Sequence, residues 1–516
     1  MLAAFQTLSP GKAETPETRP DAGRIYQRFM TNMDSPDVQG EAHALINEAI
    51  DQLDPLACDL PDQPHQLESW MEKGFQTTTT KYSRYLEKRK QGGPRSFFSN
   101  RAHALYFLRA AAPTKLVDGA WLYGILKHWR NPKFADLLHT YLEELGKGIV
   151  DKNHVAIYKS LLSSHSLELT GDLDDRFYSQ GLLQLALAGN AANYLPEIIG
   201  FNLGYEQLAL HLLITAYELN EMGIDPCYFT LHISADNTDT GHARRAVRTV
   251  LDNLPKLGNA DEYWRRVRLG YGLSNAGIGT SEVIGGFNIE QEVVNIFSRK
   301  SVAGRGVHSN YCRIAGRHVN DWLERKEEIP EFLAALQRTD WINRGMPVKK
   351  SRLWNLLEGN NADMFGVFTG YELQIIHDWI RGDASVDGRA YTDTVQHELR
   401  SIRPSYKVAA KLSRLRGNRP SNEDSQQSGE DSNDEDLLAL TEQLQTLTSA
   451  EQEALLIKVM APDLHWTPAG LYATKLFSRQ FHENPLGADK KSQQCDSYTV
   501  SSRFMSDVKG LATCHA

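Results

Sequence analysis

The chain has 516 residues, too many for one ordinary domain, and its 41% hydrophobic and 23% charged residues supply material for a sizeable core. A net charge of −9 and an isoelectric point near 6.0 give no electrostatic reason to expect nucleic acid or an anionic membrane as a partner. Five widely spaced cysteines (58, 227, 312, 495 and 514), with no Cys-x-x-Cys, argue against a disulfide framework or thiolate zinc site and favour a reducing compartment. With no signal-peptide pattern and no run of the ~18–20 apolar residues that span a bilayer, no membrane association is expected and the cytoplasm is the expected location.

Residues 1–40 are rich in Pro, Thr, Asp and Gly and read as an extended arm; helical spacing begins with Ala42–Ile50, and 1–96 form an N-terminal extension with helices. From 97 to 290 the chain reads as successive helices over 98–112, 114–130, 132–146, 151–164, 173–189, 193–222, 226–254 and 260–270, punctuated by Gly, Pro, Asn and Asp. A second helical region, 291–416, packs on this core and carries a Gly/Pro/Asn-rich stretch from Asn343 to Asp363. Residues 417–436 read as a disordered linker, since 421–436 hold seven acids and neither a base nor an apolar residue. The remainder, 437–516, is one or two amphipathic helices over Leu437–Met460 followed by a weakly structured tail. Nothing alternates strictly enough for a sheet, so the fold class is all-α.

The run His232-Ile-Ser-Ala-Asp236-Asn-Thr-Asp239-Thr-Gly-His242 carries the strongest chemical signal. At 100° per residue, His232, Asp236, Asp239 and His242 fall at about 0°, 40°, −20° and −80°, within one stripe of about 120°. Two imidazoles and two carboxylates on one helix face cost free energy if buried without partners, and a transition metal would satisfy them together. Mixed His/carboxylate ligation suits iron or manganese. Asn237, Thr238 and Gly241 are poor helix formers and point to a distortion within the run.

Glu143, Glu144 and His154 flank a bend marked by Gly146 and Gly148. Taken alone, the two glutamates read as surface charges and the histidine as a helix-start residue. Glu197 and Glu206 lie nine residues apart and face opposite ways on a regular helix, so at most one reaches a shared centre. Gly200 and Gly204 beside them are spaced for close helix contact. Asp118, in Leu116-Val-Asp-Gly-Ala-Trp121, reads on its own as a cap or turn residue. No P-loop, Gly-x-Gly-x-x-Gly, Gly-x-Ser-x-Gly, His-Glu-x-x-His or ferritin-type Glu-x-x-His is present.

Together these segments resemble the haem-oxygenase-like diiron oxidases, the iron-containing redox enzymes. The resemblance covers roughly 100–290, and Arg352–Trp354 through Phe365–Leu373 is similar to the C-terminal part of longer members. It implies an all-α, haem-oxygenase-like helical bundle with additional N- and C-terminal helical regions. The family takes its ligands from a carboxylate on one helix, a Glu followed by a His on a second, and a His-x-x-x-Asp-x-x-His run on a third. Asp118 then stands for the first, Glu144 and His154 for the second, and His232 and Asp236 for the start of the third. Glu197 stands for an extra carboxylate. The pattern departs at its end, where Asp239 occupies the place of the last His and His242 follows three residues later, leaving the last ligand open between them.

The resemblance further implies Fe(II)/Fe(III), two ions per chain, and an O2-activating oxidoreductase acting on an amino-acid- or fatty-acid-like molecule by C–C cleavage, desaturation or N-oxygenation. No catalytic residue beyond the metal ligands is implied, and an electron donor and a homodimer stay open. Tyr205, Tyr228 and Phe229 are candidates to line a pocket. Two other readings remain: a non-catalytic helical scaffold, and a haem-binding member of the same fold.

Overall fold

A computed structural model describes residues 22–54, 57–167, 173–235, 241–309, 311–359, 362–382 and 434–483. The described residues are largely helical, in agreement with the all-α, haem-oxygenase-like expectation. Among the described residues the only sheet is a hairpin pairing Arg313–Ile314 with Arg317–His318. No described helix is long and apolar enough to cross a membrane.

Residues 22–40, the described part of the expected N-terminal arm, are mostly helical. Helix α1 covers Ala22–Thr31 and α2 covers Pro36–Asp51, burying Tyr26, Phe29, Val38, Ala42 and Ile46. Composition missed α1 because its polar residues all lie on the face turned away from Tyr26 and Phe29. Then come α3 (Leu67–Lys90), α4 (Arg101–Lys115), α5 (Ala135–Glu144), α6 (His154–Ser164), α7 (Ser179–Gly189), α8 (Leu195–Tyr205), α9 (Leu210–Glu221), α10 (Cys227–Ala235), α11 (His242–Asn253) and α12 (Ala260–Ser274).

Several expected helices are divided, each for a local reason. The stretch 114–130 gives the end of α4 at Lys115, a turn over 116–119 and a 3₁₀ segment, Ala120–His128; Gly119 adopts a left-handed φ of 77° that turns the chain into that segment. The stretch 193–222 divides into α8 and α9. The single helix expected over 226–254 is two, α10 ending at Ala235 and α11 beginning at His242 after the extended Gly241. His232 and His242 therefore do not share a helix, and the 100° stripe does not describe their relation.

Helices α13 (Thr280–Gly285), α14 (Ile289–Gly304), α15 (Val319–Trp322), α16 (Ile329–Arg338), α17 (Arg352–Leu357) and α18 (Gly370–Arg381) follow. The acidic stretch expected to be a linker up to 436 gives way earlier. Asp434 caps α19 (Glu435–Thr446), accepting from the Leu437 amide at 2.8 Å, and Glu435 and Asp436 fill the favourable first turn. Helices α20 (Ser449–Val459) and α21 (Pro468–Glu483) complete the chain as described.

Two apolar cores organise these elements. One is built from α4, α6, α9, α10 and α13–α18, and the other from α1, α2, α5, α7, α8, α11, α12 and α19–α21, with α3 contributing to both. Helices α8 and α12 touch backbone to backbone. A Cβ on Gly200 would fall 1.9 Å from the Val267 carbonyl, and one on Gly270 equally close to that of Glu197. The close-contact reading of Gly200 is thus the role it plays.

Candidate metal centre

Where the two cores meet, short connections rather than helix interiors deliver the chemistry. Asp118 sits in the turn after α4. Gly119 next to it lets that turn approach α5, for a Cβ there would lie 3.0 Å from the Cβ of Glu144. Glu144 is the last residue of α5, and His154 is the first of α6, behind the cap formed by Asn153 Oδ1 and the Ala156 amide. Glu206 caps the C-terminal end of α8, and His242 opens α11. Asp118, Glu144, His154, Glu206 and His242 are all at most 5% exposed, which is uncommon for charged groups without strong partners.

Among the described residues, two groups of donors converge. Asp118, Glu144, His154 and His232 form one, and Glu144, Glu206 and His242 the other; within each group the donor atoms lie within 4.8 Å of one another. Glu144 belongs to both.

In the first group Asp118 Oδ2 lies 2.8 Å from His232 Nε2 and 3.5 Å from His154 Nδ1, and accepts the Tyr228 hydroxyl at 2.8 Å. His232 Nδ1 is 2.8 Å from the Tyr228 carbonyl. A carbonyl only accepts, so Nδ1 carries the hydrogen and the Nε2 of a neutral ring presents its lone pair to a carboxylate. Only a proton or a cation between them makes that contact favourable. His154 Nδ1 and Glu144 Oε2 meet as an ion pair, yet neither buried atom has a partner in hydrogen-bond geometry. Converging, buried and poorly hydrogen-bonded donors of O and N type are the set that iron accepts, so the residues fit the metal.

In the second group His242 Nδ1 lies 2.9 Å from Glu206 and 3.6 Å from Glu144, while Nε2 is 2.8 Å from Glu143. Glu143 is held in turn by Arg245 at 2.5 Å and Lys147 at 3.1 Å. This is the carboxylate support that ligating imidazoles usually receive on the nitrogen facing away from the metal.

The electrostatics follow from this crowding. Burial opposes the charged form of His154, but Glu144 and Asp118 raise its pKa to about 10. His242 is likewise raised well above the usual range, its burial outweighed chiefly by Glu206 and Glu143. Burial pushes the Asp118 carboxyl up, yet His232 and His154 hold it well below the ordinary value. Burial raises Glu206, with His242 opposing and Glu144 and Asp118 adding to the rise. Without metal, then, protons on His154 and His242 balance the carboxylates.

Of the sequence candidates, Asp118, Glu144, His154, His232 and His242 come together. Asp236 and Asp239 lie outside the described residues. Glu197 points elsewhere: both its oxygens are 2.6 Å from the Arg266 guanidinium on α12, so it belongs to the α8–α12 contact. Its counterpart nine residues on, Glu206, is the one that reaches the centre, because α8 ends at Tyr205 and turns it inward. Glu143 is a partner of His242 rather than a plain surface charge. Tyr228 serves Asp118 directly, whereas Tyr205 packs against a tilted Trp121 at 4.7 Å and stacks on Phe201 at 4.8 Å, and Phe229 lies in the aromatic core. The roles of Glu206 and Tyr228 had weak sequence signals: a carboxylate embedded in apolar residues, and a tyrosine one helical turn before a candidate histidine.

Searches of curated proteins and of solved structures find no match. Residues 105–274, from α4 to the end of α12, match the family model of iron-containing redox enzymes, and every residue of the two donor groups lies within that span. Over residues 105–274 the chain thus matches the iron-containing redox enzyme family, and this match supports an iron-dependent oxidoreductase.

Proposed function

We propose that the centre holds two irons and activates O2 to oxidise a small organic molecule of amino-acid or fatty-acid type. The observation that carries this reading is the sharing of Glu144 between the two donor groups, which suits a carboxylate joining two ions. Asp118, His154 and His232 would hold one iron, and Glu206 and His242 the other. Bound iron would supply the one-electron chemistry with O2 that no side chain here can perform. The protein's own part is to deliver neutral imidazoles and charged carboxylates. His232 is oriented by the Tyr228 carbonyl and His242 by Glu143, and the Tyr228 hydroxyl holds the Asp118 oxygen that faces His232. The buried surroundings exclude bulk water and strengthen each electrostatic contact. An external electron donor fits this chemistry, and the wide spacing of the cysteines, with no Cys-x-x-Cys, suits a cytoplasmic site of action.

Anaerobic titration of metal-free protein with Fe(II) tests the reading. Two equivalents should bind, and O2 uptake should accelerate with the right member of an amino-acid and fatty-acid panel. Full iron occupancy in His232→Ala would overturn the assignment.

A further inference from the structure

We propose that the C-terminal segment Asp434–Glu483, which lies outside the span matching the family, is a working wall of the metal centre. It acts through Asn153 and His465, which position Glu144 against His154; this rests on the metal-site reading above.

Between Glu144 and His154 runs a loop that cannot easily hold itself. Gly146, Lys147 and Gly148 all adopt positive φ, at 63°, 51° and 81°. For a lysine that conformation carries strain, so neighbouring structure must hold it. The Asn153 side chain, with 0% exposure, closes the loop. Its Oδ1 caps α6 at the Ala156 amide, 2.9 Å away. Its Nδ2 lies 3.2 Å from the Leu145 carbonyl, 3.1 Å from His465 Nδ1 and 3.3 Å from the His465 carbonyl. Leu145 follows Glu144 and Asn153 precedes His154, so one amide group ties together the neighbours of two ligands.

His465 belongs to the turn between α20 and α21. Burial, then the charge of His154, pushes its pKa down to about 3, so the ring is neutral and Nδ1 accepts from Asn153. The rest of the segment grips the same loop and its two helices. Gly148 is pressed so closely that a Cβ would fall 2.4 Å from the Leu471 carbonyl. Tyr141 on α5 donates to the Met460 carbonyl at 2.9 Å, and the Lys159 ammonium on α6 lies 3.8 Å over the Trp466 ring. Further out, Trp129 Nε1 donates to Glu453 at 2.7 Å.

The test uses the full chain and Co(II) as a spectroscopic probe beside Fe(II). Asn153→Ser keeps a helix cap but cannot span to Leu145 and His465. His465→Phe keeps the ring volume and removes the acceptor. Both should weaken metal binding about 10- to 100-fold, as loss of a group supporting a ligand does, and shift the Co(II) visible spectrum in the same direction. Glu453→Gln, on the outer edge of the same interface, should lower the melting temperature and leave the spectrum as in the parent. Parent-like affinity and spectrum in His465→Phe would overturn the proposal, whatever Asn153→Ser does. So would an equal spectral shift in Glu453→Gln, which would make the effect a general loosening. A parent chain that binds neither metal would instead remove the metal-site reading itself. Circular dichroism of each metal-free variant separates these outcomes from misfolding, and should one variant fail to fold, the other decides.

Discussion

At the Asp118 end of the centre, His232 commits one ring nitrogen to a backbone carbonyl and leaves the other aimed at a carboxylate. At the Glu206 end, His242 carries a carboxylate on each nitrogen, and one of these is reinforced by Arg245 and Lys147. At the first end backbone and hydroxyl groups, which do not change charge, orient His232 and Asp118, and the His154–Glu144 pair must still give up a proton. The second is shaped by charges that must be redistributed before a metal can bind. Glu144 is common to both. The contrast teaches that the two proposed metal positions, though built from the same donor types, should differ in affinity, with the Asp118 end filling first because His232 is already oriented.

The sharpest way to break this comparison is to remove what the ends share. Glu144→Ala should abolish stoichiometric Fe(II) binding at both positions, read by anaerobic titration; retention of one tight equivalent would show that the ends are independent. Next in size, His232→Ala and His242→Ala should each lose about one equivalent, the first variant losing the tighter one. Equal residual affinities would remove the proposed inequality.

A smaller effect comes from protons. The folded-state pKa of His154, at about 10, lies above its unfolded value of about 6.5. Its contribution to the stability of metal-free protein is therefore fully present below about 6.5 and is lost as pH rises through about 10. The melting temperature of metal-free protein should fall across that window. Metal uptake should strengthen across it, because ligation requires the proton to leave. A flat melting temperature would mean that His154 is neutral without metal.

The smallest effect is expected outside the centre. Glu197→Gln should leave iron loading intact while costing about 1–2 kcal/mol of stability. It removes the charge from a buried ion pair whose Arg266 partner keeps contact with solvent. Loss of an iron equivalent in this variant would place Glu197 back among the ligands.

Much of the helical order was legible before any coordinates, because long amphipathic stretches such as 260–270 declare their period. The division of long helices was less legible. Gly119 and Gly241 end or reset helices through backbone conformation, and a period-based reading runs straight through them. The same limit governed the ligands. A helical wheel placed His242 beside His232 on one face, whereas it reaches the centre by starting a new helix. It also made Glu197 and Glu206 alternatives without saying which one turns inward.

What the sequence by itself determined is the inventory: an all-α chain whose His232–His242 run carries a metal-binding pattern, with Asp118, Glu144 and His154 added by the family resemblance. Residue type and local period are encoded within a few positions, so they can be read there. Only the tertiary structure decided the pairing, with Glu206 brought in, Glu197 given to Arg266, Glu144 shared, and a distant C-terminal segment closing the loop behind it. Those outcomes depend on helix ends and on contacts across hundreds of residues. The energy of burying a charge is settled by whichever partner the fold brings within reach.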